Sequence, residues 1–394
     1  MKMNKLTVAI LIAMLLGIVT GQGYRLFAPT QAATFASDIT LLTDIFLRLI
    51  KMIIAPLVFT TLVVGIAKMG DTRTVGRIGA KTLGWFMLAS LMSLTLGLVM
   101  VHLMQPGVGL SLSLPDDGAS SGVAATAISL KDFVTHAIPK SVIEAMATNE
   151  ILQIVVFSLF FGLAAAALGD AAKPVVMLMA SAAEIMLKVT GYVMNFAPFA
   201  VFGAIAAMVA KEGLGILATY GTFMAQFYLA LACLWLLLIA MGSLFIRRRI
   251  LTLLAMIREP ILLAFSTASS EAAYPKTLDR LEKFGCDKRI ASFVLPMGYS
   301  FNLDGSMMYC TFAVMFIAQA YGIELSMAQQ ITMLLLLMVT SKGMAGVPRA
   351  SLVVIAATLN QFQIPEAGIL LLLGIDHFLD MGRSATNVLG NAIA

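Results

Sequence analysis

The sequence predicts an all-α polytopic membrane protein, eight transmembrane helices with two re-entrant helical hairpins, on the strength of three observations. Of its 394 residues 60% are hydrophobic and only 12% are charged, about half the charge of a soluble domain. Apolar runs recur through the first 250 residues, and most exceed the ~20 residues that a helix needs to cross the hydrocarbon. Beyond that point the runs are interrupted by polar stretches, which lipid tolerates only where protein or a wet cavity surrounds the irregular backbone.

Apolar spans read at 6–27, 41–69, 78–104, 150–169, 174–210 and 214–246. Several are longer than a crossing requires and imply tilted or kinked helices. Lys2 and Lys5 ahead of the first run resemble a signal peptide. No small-residue cleavage site follows, so the first helix is expected to be retained. The mixed stretch 128–149 is expected to lie partly in the interface. Lys2, Lys5, the 68–81 loop and Arg247–Arg249 share one side when six spans precede residue 247, while the 106–127 loop holds Asp116 and Asp117 without Lys or Arg. The positive-inside rule then places the N-terminus in the cytoplasm.

After residue 250 the pattern changes. Ile250–Ala264 is apolar, breaks at the Ser-rich 265–275 and returns to a basic loop (Lys283, Lys288, Arg289), which describes a re-entrant hairpin over 251–282. Residues 287–320 form a span interrupted at Asn302-Leu-Asp-Gly-Ser306, and 326–360 reads as a second hairpin broken at 341–351. The last helix, 365–394, carries Asp376, Asp380, Arg383, Asn387 and Asn391 along one stripe, at spacings of 4, 3, 4 and 4. A charge at mid-bilayer costs about 2.5–3.5 kcal/mol, so this stripe needs a polar interior partner and marks a binding or pathway helix. Interrupted segments in corresponding positions point to inverted repeats around a mid-membrane site, where unwound carbonyls suit a cation and half-helix N-termini suit a carboxylate.

The net charge of +5 does not point to nucleic acid, because the basic residues lie between spans. Cys233, Cys286 and Cys310 lack metal or redox spacing, as do His102, His136 and His377, and the 27 methionines are read as lipid-facing or core filler. No enzyme chemistry and no cofactor are expected.

Four segments recur in order along the chain: Ser269-Ser-Glu-Ala-Ala-Tyr-Pro275, Gly298-Tyr-Ser-Phe-Asn-Leu-Asp-Gly305, Gly343-Met-Ala-Gly-Val-Pro348 and Asp380-Met-Gly-Arg-Ser-Ala-Thr-Asn387. With Lys51-Met-Ile-Ile-Ala-Pro-Leu-Val58 they resemble the dicarboxylate/amino acid:cation symporter family, and most closely its bacterial proton/glutamate-aspartate branch. The resemblance implies an elevator-type glutamate transporter fold, assembled as a homotrimer in the bacterial inner membrane. Residues 1–250 would be mainly scaffold and trimerisation helices, with the third and sixth spans packed on the transport domain. Residues 251–394 would form that moving domain.

The same resemblance assigns roles. Arg383 would hold the side-chain carboxylate of an acidic substrate and Asp380 its ammonium, with Ser269, Ser270, Ser306, Gly346, Val347, Ser384 and Asn387 as further substrate contacts. Gly298, Asn302, Asp304, Asn387 and Asn391 would ligate a coupling cation. Two departures weaken sodium sites: Asn391 stands where sodium-coupled members have an aspartate, and Ala89, next to Ser90, stands where they have a threonine. Protons are therefore the favoured coupling ion, with sodium left open. Burial favours the neutral form of a carboxyl group, which makes Glu271 and Asp304 the proton-carrier candidates; Cys310 occupies the place of a titrating glutamate in eukaryotic relatives. Pro348 and Arg349 would form the gate of the second hairpin. Because Ala268 and Met381 replace the second arginine of relatives, Arg349 is expected to face Asp380 from across the site. In relatives the polar helix runs several apolar turns further, so the resemblance implies a truncated chain or an unusually short helix. The expected activity is coupled import of glutamate or aspartate. A C4-dicarboxylate:cation symporter is the alternative within the family, and an uncoupled channel-like protein is the alternative outside it.

Overall fold

Inside a bilayer the backbone finds no water, so an apolar chain satisfies its own amides as helix. A computed structural model describes residues 5–69, 72–108, 138–213, 220–341, 350–373 and 375–394, and every regular element among them is helical. The first half holds α1 (Lys5–Phe27), α2 (Ala32–Met69), α3 (Thr72–Met104), α4 (Val142–Thr148), α5 (Ile151–Leu168), α6 (Lys173–Met194), α7 (Ala197–Glu212) and α8 (Gly221–Ile246). The second half holds α9 (Arg249–Thr267), α10 (Ser270–Phe284), α11 (Lys288–Phe301), α12 (Asp304–Ala320), α13 (Met327–Thr340), α14 (Ala350–Gln361), α15 (Leu370–Leu373) and α16 (Asp376–Ile393).

Several expected boundaries change, and the third span starts at Thr72 rather than 78. The second span begins at Ala32 rather than 41, since Asp38 and Thr40 extend the helix without forming part of an apolar run. The expected span 174–210 is two helices, parted at Asn195-Phe196 just ahead of Pro198; proline disfavours helix in the residue before it and lacks a backbone donor. The last segment is not continuous: a 3₁₀ turn (Glu366–Ile369) and α15 precede the polar α16.

The breaks of the second half are tight. Between α9 and α10 only Ala268 and Ser269 leave the helix: Ala268 adopts a left-handed φ of 49°, and the extended Ser269 accepts the Ala272 amide on its hydroxyl at 3.3 Å. Glu259 on α9, 4% exposed, ties the arms together by pairing with Lys276 (3.2 Å) and Arg280 of α10. Between α11 and α12 the break is Asn302-Leu303. The expected hairpin tip that carries Gly346, Val347, Pro348 and Arg349 lies outside the described residues.

Two apolar clusters organise the packing. One joins α1, α2, α5 and α7 to α9, α10 and α11; the other joins α3, α8, α12, α13 and α14. At their junction lies α16, buried at every residue from Met381 to Ala392. α8 holds it through Trp235 Nε1 donating to Thr386 Oγ1 (2.8 Å) and the Tyr228 hydroxyl donating to the Phe378 carbonyl (2.6 Å). α12 crosses it at Gly305, where an added Cβ would stand 2.5 Å from the Arg383 carbonyl oxygen and 2.8 Å from Thr386 Cβ.

That crossing predicts a position-specific sensitivity to bulk. Gly305→Val is expected to lower stability by about 1–3 kcal/mol or more, the usual effect of overpacking. Gly23→Val, where an added Cβ meets nothing within 4 Å, is expected to stay within the small effect of helix propensity. Thermal unfolding in detergent compares the two.

Candidate functional site

The buried stripe of α16 meets two sets of partners, one charged and one amide-rich. At its N-terminal half, Arg383 is 2% exposed and lies one turn beyond Asp380, with Nη2 and Nε donating to Asp380 Oδ1 at 2.7 and 3.1 Å. Two turns back along the same face, Asp376 stands 3.9 Å from Nη1. The guanidinium carbon lies 4.4 Å from the centre of the Tyr309 ring, and the Tyr309 hydroxyl donates to Asp376 at 3.1 Å. A delocalised cation suits an aromatic face as well as carboxylates. Arg383 Nη1 nevertheless keeps no hydrogen-bond partner within the cluster. Asp380, 23% exposed along its side chain, is the more accessible member, and Ser384 Oγ reaches it at 3.4 Å.

One turn further on, Asn387 Oδ1 accepts the Gly305 and Ser306 amides at 2.9 and 3.3 Å, while its Nδ2 donates to Ser306 Oγ at 3.1 Å. The broken helix thus has its second half capped from α16, satisfying amides that a helix start leaves open. Beyond it, Asn302 Nδ2 donates to Asp304 Oδ2 at 3.0 Å and to Asn391 Oδ1 at 3.2 Å, and Ser93 Oγ donates to Asp304 Oδ1 at 3.2 Å. Asn302 and Asp304 are both 0% exposed. Asn302 Oδ1 is a buried acceptor without a donor, an arrangement that a hard cation satisfies. Gly298 lies directly against Asn391, and its carbonyl accepts the Asn302 amide at 2.8 Å.

The structure therefore brings together Arg383, Asp380 and Ser384, and separately Ser306, Asn387, Asn302, Asp304, Gly298 and Asn391. It does not bring Ser269 or Ser270 into hydrogen bonds with the Arg383 cluster; the Ser269 hydroxyl serves as the helix cap of α10. The two arms of that hairpin reach α16 through Ala264 and Ala273 packed on Val388. Glu271 sits half-buried in the first turn of α10, within electrostatic reach of Lys51 on α2. Of the expected substrate contacts and gate, Gly346, Val347, Pro348 and Arg349 lie outside the described residues.

Sequence reasoning missed two participants and the partner of a third. Tyr309 looked like one apolar residue among many in α12, although it follows Gly305 by four and so shares the face turned to α16. Ser93 was overlooked beside Ala89 and Ser90, although it sits one turn past Ala89, whose carbonyl it also reaches at 2.8 Å. Asp376 was placed on the stripe without a partner.

A multi-pass helical membrane protein with paired charges buried against a broken helix is what this fold and site define. The chain belongs to the sodium:dicarboxylate symporter family, which it matches over residues 6–394. It is 41% identical to a proton/sodium-glutamate symport protein of Bacillus caldotenax, over 98% of this chain and 91% of the relative. It is also 40% identical to a C4-dicarboxylate transport protein of Laribacter hongkongensis (98% and 87%) and 39% identical to a proton/glutamate-aspartate symporter of Bacillus subtilis (98% and 92%).

The geometry predicts unequal losses around Arg383. Tyr309→Phe removes one hydrogen bond and is expected to lower stability by about 1 kcal/mol. Arg383→Ala removes the counter-charge of the buried Asp376 and the partly exposed Asp380 and is expected to lower it by more, up to about 3–5 kcal/mol. Adding Asp376→Asn to Arg383→Ala should recover part of that loss, as non-additive unfolding free energies would report.

Proposed function

We propose that this chain is a secondary active symporter that imports glutamate or aspartate with protons, sodium being left open as a second coupling ion. The observation that carries the reading is the buried Arg383–Asp380 pair. An acidic amino acid brings a carboxylate for Arg383 and an ammonium for Asp380, so it replaces one internal pair with two external ones and leaves neither charge stranded. A C4-dicarboxylate would satisfy Arg383 and leave Asp380 without its cation. Stranding one member of a buried pair costs about 3–5 kcal/mol, less here because Asp380 is 23% exposed. The relatives named as glutamate and glutamate-aspartate symporters support the reading. The relative named as a C4-dicarboxylate transport protein keeps the alternative substrate in view.

The coupling ion is carried as cargo beside the substrate. Asp304, Asn302, Asn391 and Gly298 are in mutual contact between the broken helix and α16, which supports Asp304 holding a proton or a cation among them. Asn387 links this set to the substrate side through the Ser306 and Gly305 amides, so filling one set bears on the other. Glu271 at the hairpin turn is the second proton-carrier candidate. In this reading residues 251–394 move as one body against a trimeric scaffold in the bacterial inner membrane, with the N-terminus in the cytoplasm. The packing of α3 on α12 and of α8 on α16 supports their riding with that body.

Uptake by proteoliposomes under imposed gradients tests the proposal. An inward pH gradient without sodium is expected to concentrate labelled aspartate or glutamate inside. Asp304→Asn should lower this uptake roughly tenfold or more, the equivalent of ~1.4 kcal/mol in coupling. Sodium-dependent uptake indifferent to pH would overturn the proton assignment, succinate uptake unaffected by aspartate would overturn the substrate, and equilibration without accumulation would overturn symport.

A further inference from the structure

Away from this site, a cavity of about 250 Å³ opens between α2, α6 and the first turns of α11. Its walls are mainly small and apolar, among them Gly65 and Ala183, and Glu184 and Lys288 stand at its rim. Gly65 lets α2 close on α11: an added Cβ would be 3.2 Å from the Arg289 carbonyl oxygen. Ser292 also lines the cavity, is 1% exposed, and its hydroxyl has no hydrogen-bond partner. A buried hydroxyl left unbonded is costly, and this one faces a space large enough for a ligand to bond it.

The rim charges define what would fit. Arg289 is engaged by Asp287, whose two oxygens receive its guanidinium at 2.6–3.2 Å and whose carboxyl is thereby held at about 2, well below the usual carboxylate range. Glu184 and Lys288 are both exposed; Lys288 is within electrostatic reach of Glu282 but is not hydrogen-bonded to it. The cavity therefore offers one carboxylate, one ammonium, one hydroxyl and an apolar floor. It also lies at the basic end of the molecule, between the last turns of α2 and the helix start that follows Lys283, where a bilayer presents its head groups.

We propose that this cavity binds the head group of an ethanolamine phospholipid. The lipid phosphate would face Lys288, its ammonium would donate to Glu184, Ser292 would donate to an ester or phosphate oxygen, and the first methylenes would rest on Ala183 and Gly65. A purely anionic head group gains nothing from Glu184. A choline head group has no N–H to donate. The site joins α2 and α6 to α11, so its occupant touches both parts of the molecule that the transport reading sets in relative motion. Its binding does not depend on that reading.

Native mass spectrometry of the full chain, released from mixed micelles of dioleoyl ethanolamine, choline and glycerol phospholipids, tests the site directly. The wild-type protein is expected to retain the ethanolamine lipid over the choline lipid. Glu184→Gln, at an exposed position, should lower that retention roughly two- to fivefold, what loss of one partly exposed ion pair is worth, and leave the glycerol lipid unchanged. Lys288→Gln should lower retention of all three. Equal retention of ethanolamine and choline lipids, a Glu184→Gln protein that binds as the wild type does, or a wild-type protein that retains no lipid would each overturn the proposal. Both substituted side chains are exposed, and an unchanged melting temperature separates lost binding from lost folding.

Discussion

A guanidinium sealed away from water has to find its counter-charge inside the protein, and around Arg383 this chain meets that demand. Two carboxylates one and two turns away along the same helix, and an aromatic ring from the facing helix, surround a side chain that is 2% exposed. Removing water strengthens every interaction in such a cluster and equally raises the penalty for any group left alone. The rest of the centre follows from it. Tyr309 has to come from α12, so α12 has to cross α16 closely; the crossing requires Gly305. The break before α12 leaves open amides, which Asn387 then occupies.

The cluster is stable without being complete. One guanidinium nitrogen has no hydrogen-bond partner, and the more accessible of its two acids is also the one it binds best. A closed structural ion pair would spend all its donors. Here one guanidinium holds both the unused donor, Nη1, and, through Nε and Nη2, the accessible acid Asp380, which suits a ligand that carries one carboxylate and one ammonium. Two turns further along the helix the amide-rich set has the complementary deficit: a buried Asn302 oxygen without a donor, beside the carboxylate of Asp304.

Much of this was legible in the residues themselves. The spacing of the polar stripe defined the face of α16, and the interruptions at 268–269 and 302–303 fall within the segments read as broken, because Ser, Asn, Asp and Gly in an apolar run have no other use there. What the sequence concealed was depth and partnership. A stripe implies one polar face, but α16 is enclosed on all sides, since its apolar face also packs inward. Tyr309 and Ser93 carry no local signal that sets them apart from ordinary membrane residues; they matter only because helices distant in sequence bring them to Asp376 and Asp304. Proline-driven division of the 174–210 stretch was open to inspection at Pro198, but the continuous hydrophobicity outweighed it. The likeness of the motifs assigned Ser269 to substrate, and its hydroxyl also accepts the Ala272 amide at the hairpin turn, a capping role that leaves its O–H free to donate.

The exchange of an internal ion pair for two external ones is the centre of this account, and paired affinities test it most directly. Isothermal titration of L-aspartate and of succinate into the purified wild-type protein and the Asp380→Asn protein, at one pH and one salt concentration, isolates the coupling between the ammonium and Asp380. The account predicts that the wild type favours aspartate and that Asp380→Asn erases or reverses the preference. An aspartate preference that survives the substitution intact would contradict it.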